Sequence, residues 1–402
     1  MRDKSDLRQR QALPLIAKVR MSQVRIAEWY RHFDGNVVVS FSGGKDSTVL
    51  AHLVRELYPE VPLVYCDTGL EYPEIRQFAV KMGAEIVRPK MRFDEVISKY
   101  GYPIISKEVA QAVYFARKIY PVGGGINHTN AMNSRDCEYL RGGVYKSETG
   151  RTTWIALEGI STFRRKEFAG VVGLLNGEKS QFNKEKYLPL LQETQFMISH
   201  HCCSIMKKNP LNAYQRKSKR YPFLGTLAEE SRLREQKWIQ NGCNAFDAKK
   251  PTSQPLSFWT EQDILKYLYV EGYEIASVYG EIVGVDPMGF EYEPLPGIDC
   301  KLKCTGCDRT GCIFCGFGCH CEKGETRFQR LARTHPKQYE YCMNGGQWVD
   351  NPKYDQTAPE YDGEWKNWNP KKIWTPSKKG LGMKKVFDDC NQIYGKDFIR
   401  YE

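Results

Sequence analysis

Two groups of residues in this chain carry chemistry by their type and spacing. The first is Ser42-Gly43-Gly44-Lys45-Asp46-Ser47, which follows the β-branched run Val37-Val38-Val39-Ser40-Phe41. A buried strand, a small-residue turn and an apolar-periodic helix are the reading of this stretch. Glycines let a ligand touch the backbone, and the amides at a helix N-terminus favour an anion there. Lys45 adds a mobile positive charge, Ser47 a hydroxyl, and Asp46 a contact for magnesium. The stretch reads as a phosphate cradle. It is not of the Walker type, because Val39 and Asp46 occupy the positions where that pattern needs glycine and Ser or Thr.

The second group is the cysteines, fourteen in all, of which seven fall between 300 and 321. Cys304, Cys307, Cys312 and Cys315 form a C-x2-C-x4-C-x2-C pattern that locally suits zinc. Cys319, His320 and Cys321 follow, as further ligands or sulfur-carrying thiols, and an adjacent Cys202-Cys203 pair stands far upstream. Thiolates select iron–sulfur or zinc over harder metals. Cys66 and Cys243 read as packing residues.

The elements that must position these groups follow a rhythm. Residues 12–33 read as a helix, Val61 to Cys66 as a second strand, Pro73 to about Met82 as a helix, and Ala84 to Val87 as a third strand. That alternation implies a parallel sheet with right-handed crossovers. Ligands on such sheets bind beyond the strands' carboxyl ends, which brings Asp67 and Glu71 toward the cradle. Ile105 to Tyr120 reads as another helix, and residues 121–186 as an insertion over the site. Phe223 to Leu227 reads as a strand. Thr260 is the expected N-cap of a helix, with Asp263 closing a capping box. The expected domains are an N-terminal helix at 1–34, a nucleotide-binding α/β domain at 35–299, a Cys-rich module at 300–342 and a basic, Trp-rich tail at 343–402. The tail is expected to fold back on the core, since tryptophans are rarely left in water.

The net charge of +11 suggests polyanionic partners, nucleotides or nucleic acid. From Lys207 to Arg220 there are six basic residues and no acidic one. Such a run is a solvated face, or a surface for phosphates. No membrane span and no export signal is read, so the cysteines are expected to work in a reducing, cytoplasmic setting.

Four blocks together resemble the PAPS reductase family, the thiol- and iron–sulfur-linked branch of the PP-loop proteins, which implies an α/β fold with a doubly wound parallel sheet. They are residues 42–47, Asp67 to Glu74, Glu229-Glu230-Ser231-Arg232 with Arg234, and Pro255 to Leu265. The resemblance implies that Ser40, Ser42, Gly43, Gly44, Lys45, Asp46, Ser47, Asp67 and Glu71 hold an adenine nucleotide, ATP or a sulfonucleotide, with Mg2+. It implies that Arg232 and Arg234 face the cleft and grip phosphate or sulfate oxygens; surface ion pairs with Glu229 or Glu235 are the alternative for them. It also implies a [4Fe–4S] cluster on Cys202, Cys203, Cys312 and Cys315. A cluster using Cys307 or Cys319 instead, or Zn2+ on 304/307/312/315, stays open.

Two chemistries occur on that scaffold. One adenylates an acceptor with release of pyrophosphate and then inserts sulfur; acceptors in the family include DNA and tRNA, with a sulfur donor or reductant protein as partner. The other reduces a sulfonucleotide to release sulfite, with a cysteine nucleophile in a Glu-Cys-Gly-x-His-like setting. Neither Cys342 nor Cys390 matches that setting, whereas the cradle is intact, so the first chemistry is expected. A third reading is a nucleotide- and metal-binding regulator of nucleic acid without turnover.

Overall fold

The computed structural model describes residues 3–119, 174, 183–294, 300–357 and 368–402. The chain forms two compact units, one of residues 1–90 and 205–312, the other of 91–204 and 313–402. Among the described residues no helix is long and apolar enough to cross a membrane. Most of the expected 121–186 insertion, the β-like piece Thr152 to Leu157 and Trp365 lie outside the described residues.

The first unit is built on a six-stranded sheet. Its helices are α1 (Lys4–Gln11), α2 (Leu15–His32), α3 (Lys45–Leu57), α4 (Pro73–Lys81), α5 (Asn209–Ser218), α6 (Arg232–Asn241) and α7 (Glu261–Glu271). Its strands are β1 (Val37–Phe41), β2 (Leu63–Cys66), β3 (Glu85–Val87), β4 (Tyr221–Leu224), β5 (Asn244–Ala245) and β6 (Thr252–Ser253). The order across the sheet is β3-β2-β1-β4-β6-β5, with every pair parallel except β5 and β6. The chain therefore winds outward from β1 to β3 on one side and resumes with β4 on the other. That reversal makes β1 and β4 flank the topological switch point, where such sheets bind ligands.

β1 is fully buried at Val37, Val38 and Val39, as a strand covered on both faces must be. α2 packs on α3 and buries Ile26 and Trp29. The helix expected at 12–33 is α2, which starts at Leu15 because Pro14 stands at its N-cap; α1 lies wholly before that stretch. Ile16 and Val24, apolar though they are, face solvent on α2. Ser22 and Lys18 fix α2 against the later chain. Ser22 donates to the Pro255 carbonyl at 2.9 Å and accepts from the Trp259 indole, and Lys18 reaches Asp263 at 2.6 Å. α7 begins as expected. Thr260 Oγ1 accepts from the Asp263 amide at 3.2 Å while Asp263 accepts from the Thr260 amide at 2.7 Å. A small antiparallel sheet completes the unit, from β7 (Ile282–Val285), β8 (Glu291–Tyr292) and β9 (Lys301–Cys304).

Among its described residues the second unit is mainly helical, and Phe328, Leu331, Met383 and Phe387 are fully buried in it. Ile105, expected at a helix start, instead belongs with Ile104 to a short strand paired in parallel with Gly316–Phe317, and the helix starts at Lys107. The tail folds back within this unit. Trp374 donates to the Gly382 carbonyl, and Trp368 donates to the Thr194 carbonyl at 2.6 Å while Arg117 lies over its ring. Trp348 remains partly exposed.

Candidate functional site

β1 delivers its chain into a closed ring of hydrogen bonds. Ser47 Oγ donates to the Gly44 carbonyl at 2.9 Å, so Ser42 Oγ donates to Ser47 Oγ across 3.0 Å. Ser42 Oγ in turn accepts from the Gly44 amide at 3.3 Å, and Ser47 Oγ from the Ser42 amide at 3.2 Å. The hydroxyls thus shape the loop rather than wait for a ligand. Gly43 adopts φ +72°, and a Cβ there would lie 2.7 Å from Ile75 Cγ2 on α4. Only glycine fits that turn. The first-turn amides of α3 have no acceptor within their own helix, and that of Lys45 meets the Tyr279 hydroxyl. Gly225, just beyond β4, brings a second backbone against the cradle: a Cβ there would meet the Asp46 carbonyl and the Ser47 amide at 2.9 Å.

The cradle opens into a cavity of about 270 Å³. Ser42, Gly44, Lys45 and Asp46 line it from β1 and α3, Leu227 and Glu230 from the exit of β4. Glu71, Lys207, Glu261, Tyr279 and the segment 308–311 close it. Five carboxylates and three cations line this space. The cations are engaged. Lys45 Nζ sits 3.2 Å from Glu261, Lys207 Nζ 2.9 Å from Glu71, and Arg309 3.8 Å from Glu230, which also pairs with Arg234. Lys45, expected to be mobile, is only 7% exposed and lies over the Tyr279 ring, whose hydroxyl meets Thr310 Oγ1 at 2.6 Å. Among the described residues neither Asp46 nor Asp308 has an ion-pair partner within 4 Å. Burial pushes the Asp46 carboxyl above its usual range, against the pull of Lys45, Arg309 and Arg234. Burial opposes the Lys207 charge, but the Cys312 sulfur and Glu71 beside it outweigh this and hold the ammonium protonated.

The structure brings Ser42, Gly44, Lys45, Asp46 and Glu71 together; Gly43 and Ser47 shape the turn behind them. Asp67 does not line the cavity. It is held by Arg76 at 3.0 Å and Arg88 at 3.3 Å. Ser40 lies within β1, hydrogen-bonded into the sheet between β2 and β4. Arg232 is exposed at the start of α6 and outside the lining. Arg234 pairs with Glu230, a neighbour the sequence reading did not name for it, and its charge reaches Asp46. Lys207, Glu261, Tyr279 and Asp308 were not singled out. Lys207 belonged to the basic run and Glu261 to the α7 entry, but nothing local marks Tyr279 or Asp308.

The cysteines divide. Cys202, Cys203, Cys315 and Cys319 belong to the second unit. There burial raises the Cys315 thiol, and the Cys203 sulfur is near enough to raise it further. Cys319 donates to the Gly316 carbonyl at 3.0 Å, and burial pushes its thiol up to about 12. Cys304, Cys307 and Cys312 belong to the first unit, with Cys304 at the end of β9 and raised by burial. Among the described residues no three or more of His, Cys, Asp and Glu converge as a site for a single metal ion. Cys66 is a packing residue as expected, donating to the Met206 carbonyl with its thiol pushed up to about 11 by burial. Cys342 and Cys390 are fully buried, with thiols raised by burial, which agrees with their poor fit to a nucleophile.

A doubly wound parallel sheet with a glycine-lined anion cradle at its switch point defines a PP-loop nucleotide-binding fold. The family model described as the phosphoadenosine phosphosulfate reductase domain matches residues 36–131 and 171–316, more than half of the chain. The chain belongs to that family, and the break in the match falls inside the segment read as an insertion. It is 30% identical over 105 residues to an adenosine 5′-phosphosulfate reductase of Staphylococcus haemolyticus, covering 24% of this chain and 43% of that protein. It is 24% identical over 296 residues to a sulfate adenylyltransferase subunit 2 of Shewanella loihica, covering 68% of this chain and 74% of that protein. A phosphoadenosine 5′-phosphosulfate reductase of Klebsiella pneumoniae is 39% identical over 54 residues, covering 13% of this chain and 22% of that protein. The chain thus spans less than half of the first and third of these relatives and about three quarters of the second.

Proposed function

We propose that this chain binds ATP as its magnesium chelate, transfers the adenylyl group to an acceptor with release of pyrophosphate, and so prepares that acceptor for sulfur insertion. The observation that carries the reading is the charge of the cavity. An intact anion cradle opens into a space where carboxylates outnumber cations and, among the described residues, Asp46 and Asp308 have no ion-pair partner within 4 Å. A polyphosphate brings further negative charge, so it needs a divalent cation, and a buried, cation-deficient carboxylate beside the cradle suits one. Asp46 is the residue to hold it. When bound, Mg2+ would neutralise the phosphate oxygens and the departing pyrophosphate.

The chain's own residues supply the rest. The turn and first-turn amides of α3 receive the β- and γ-phosphates. Lys45 leaves Glu261 for the bridging and terminal oxygens, where charge grows as the α–β bond breaks. An acceptor oxygen forms the new bond to the α-phosphorus while pyrophosphate departs. A sulfur nucleophile then displaces AMP from the activated acceptor. Arg234 acts by holding Glu230 and by its charge on Asp46; Arg232 is left for the acceptor or for solvent. The charge of the chain favours a nucleic acid, DNA or tRNA, as acceptor, with a sulfur donor or reductant protein alongside.

Cys202, Cys203 and Cys315, with Cys312 three positions earlier in the chain, are the proposed ligands of a [4Fe–4S] cluster. An all-thiolate donor set and the closeness of Cys203 to Cys315 support it. The cluster would supply redox or sulfur-carrying chemistry. Zinc on 304/307/312/315 is the competing assignment.

ATP–pyrophosphate exchange tests the reading, run beside sulfite release from adenylyl sulfate and phosphoadenylyl sulfate. Exchange without sulfite supports it; sulfite release without exchange replaces it with the reductase reading that two of the relatives' names suggest. Neither activity would leave the non-catalytic regulator. Anaerobic preparations of Cys202→Ser and Cys304→Ser, with iron, sulfide and zinc counted, test the ligands. Cluster loss only in the second overturns the assignment.

A further inference from the structure

A second cavity, about 610 Å³, lies in the first unit and has no part in the nucleotide site. Arg216, Lys219, Arg220, Lys249 and Lys250 line it, with no carboxylate among the lining residues. Only Arg220 is matched by an acid, Glu85 at 3.4 Å; among the described residues the other four have no ion-pair partner. Arg216 and Lys219 come from the last turn of α5 and its C-cap, and Lys249 and Lys250 from the loop before β6. The carbonyl end of α5 opposes an anion with roughly half a charge, far less than four unpaired cations supply.

The sheet fixes where this cleft opens. Tyr221 and Pro222, the first residues of β4, form its floor, and Tyr221 is in register with Val37 at the start of β1. The other end of β4 leads into Gly225, which lies against Asp46 and Ser47. The basic cleft thus opens at the amino ends of the strands and the cradle at their carboxyl ends. Four strand residues, ~13 Å, separate the two.

We infer that this cleft binds the phosphodiester backbone of a nucleic acid. The site is more than twice the volume of the cradle cavity, so a single phosphate would leave most of it unfilled. Lys208 and Lys217, exposed on the same stretch, carry the positive surface beyond it, as a polymer of regularly spaced phosphates requires. Asn212 and Gln215 add amide donors for phosphate or sugar oxygens. Binding here rests on the adenylation reading only for the suggestion that the bound strand is the acceptor.

The test is fluorescence anisotropy of labelled 20-nucleotide single strands, one RNA and one DNA, from 50 to 200 mM NaCl. The full chain is compared with Arg216→Ala/Lys219→Ala/Lys249→Ala/Lys250→Ala. A control removes four exposed lysines elsewhere, at 81, 337, 379 and 396. Each lost phosphate contact flattens the slope of log K against log salt by about 0.7 for a single strand, so the cleft variant should flatten it by about 3. It should also bind at least tenfold more weakly at 100 mM salt, with the control within twofold of wild type. The tighter of the RNA and DNA arms names the source of the backbone. Equal binding by wild type and cleft variant overturns the inference. So does cleft-dependent binding of polyglutamate with none of either nucleic acid, which would assign the surface to an acidic polypeptide. Lys45→Ala separates the two proposals: it should abolish pyrophosphate exchange and leave the anisotropy curve unchanged.

Discussion

Replacing Asp46 with asparagine should make the ligand-free protein more stable at neutral pH and less able to use ATP. The side chain keeps its size and an acceptor oxygen but loses its charge. Burial raises the Asp46 pKa in the fold, so between the unfolded and folded values the native protein holds a proton that the unfolded chain has released. Stability therefore falls as pH rises through that window, which opens near the ordinary Asp value of about 3.9, and the full cost is present at neutrality. Every unit of the rise is worth about 1.4 kcal/mol. An acidic residue in the first turn of α3 returns about 0.3–1 kcal/mol against this cost. For units of this size, 1 kcal/mol moves the melting temperature by ~2–4 °C. The assay is thermal melting of wild type and Asp46→Asn from pH 3.5 to 8, with and without Mg·ATP. The variant should melt higher at pH 7, the gap should close toward pH 4, and Mg·ATP should stabilise only the wild type. Pyrophosphate exchange should fall on the order of 10²-fold or more, the size of a lost electrostatic contact at a reacting phosphate. A variant that melts lower at pH 7, with the deficit vanishing in acid, would show the carboxylate already satisfied, and the cation-deficient cavity would be refuted.

Gly225→Ala should wedge β4 from α3, because its Cβ would meet backbone rather than a movable side chain. The expected cost is about 1–3 kcal/mol with a marked loss of exchange, read by denaturant unfolding and by the exchange rate. Thr260→Ala removes one half of the α7 capping box and should cost about 1 kcal/mol; Thr260→Ser should restore most of it. Cys342→Ala should leave pyrophosphate exchange and any sulfite release within twofold of wild type, since its thiol is buried away from solvent. A loss of sulfite release in a variant that melts normally would make Cys342 the nucleophile after all.

What was legible in the sequence was local. The β1–cradle–α3 unit spans neighbours in the chain, and each residue's preference, β-branched in the strand, glycine at positive φ, apolar at helical spacing, points the same way. The Thr260–Asp263 box is legible for the same reason, since a cap is settled within four residues. The rest of the site is set by competition between distant groups. Asp67 follows β2 as a nucleotide-binding acid should, yet Arg76 and Arg88 take it, while Glu261, 216 residues from Lys45, becomes that lysine's partner. The cysteines show the same limit. Spacing alone joins 304, 307, 312 and 315 into one knuckle, but Cys304 is drawn into the β9–β7 ladder and the Cys307 amide is tied to the Val278 carbonyl. Gly316, next after Cys315, pairs instead with Ile104. Backbone hydrogen bonds are obligatory for buried strands, so they fix where those thiols can go before any metal does. Within the second unit the charge of the Cys203 sulfur reaches Cys315, an approach across more than a hundred residues that no interval between cysteines announces.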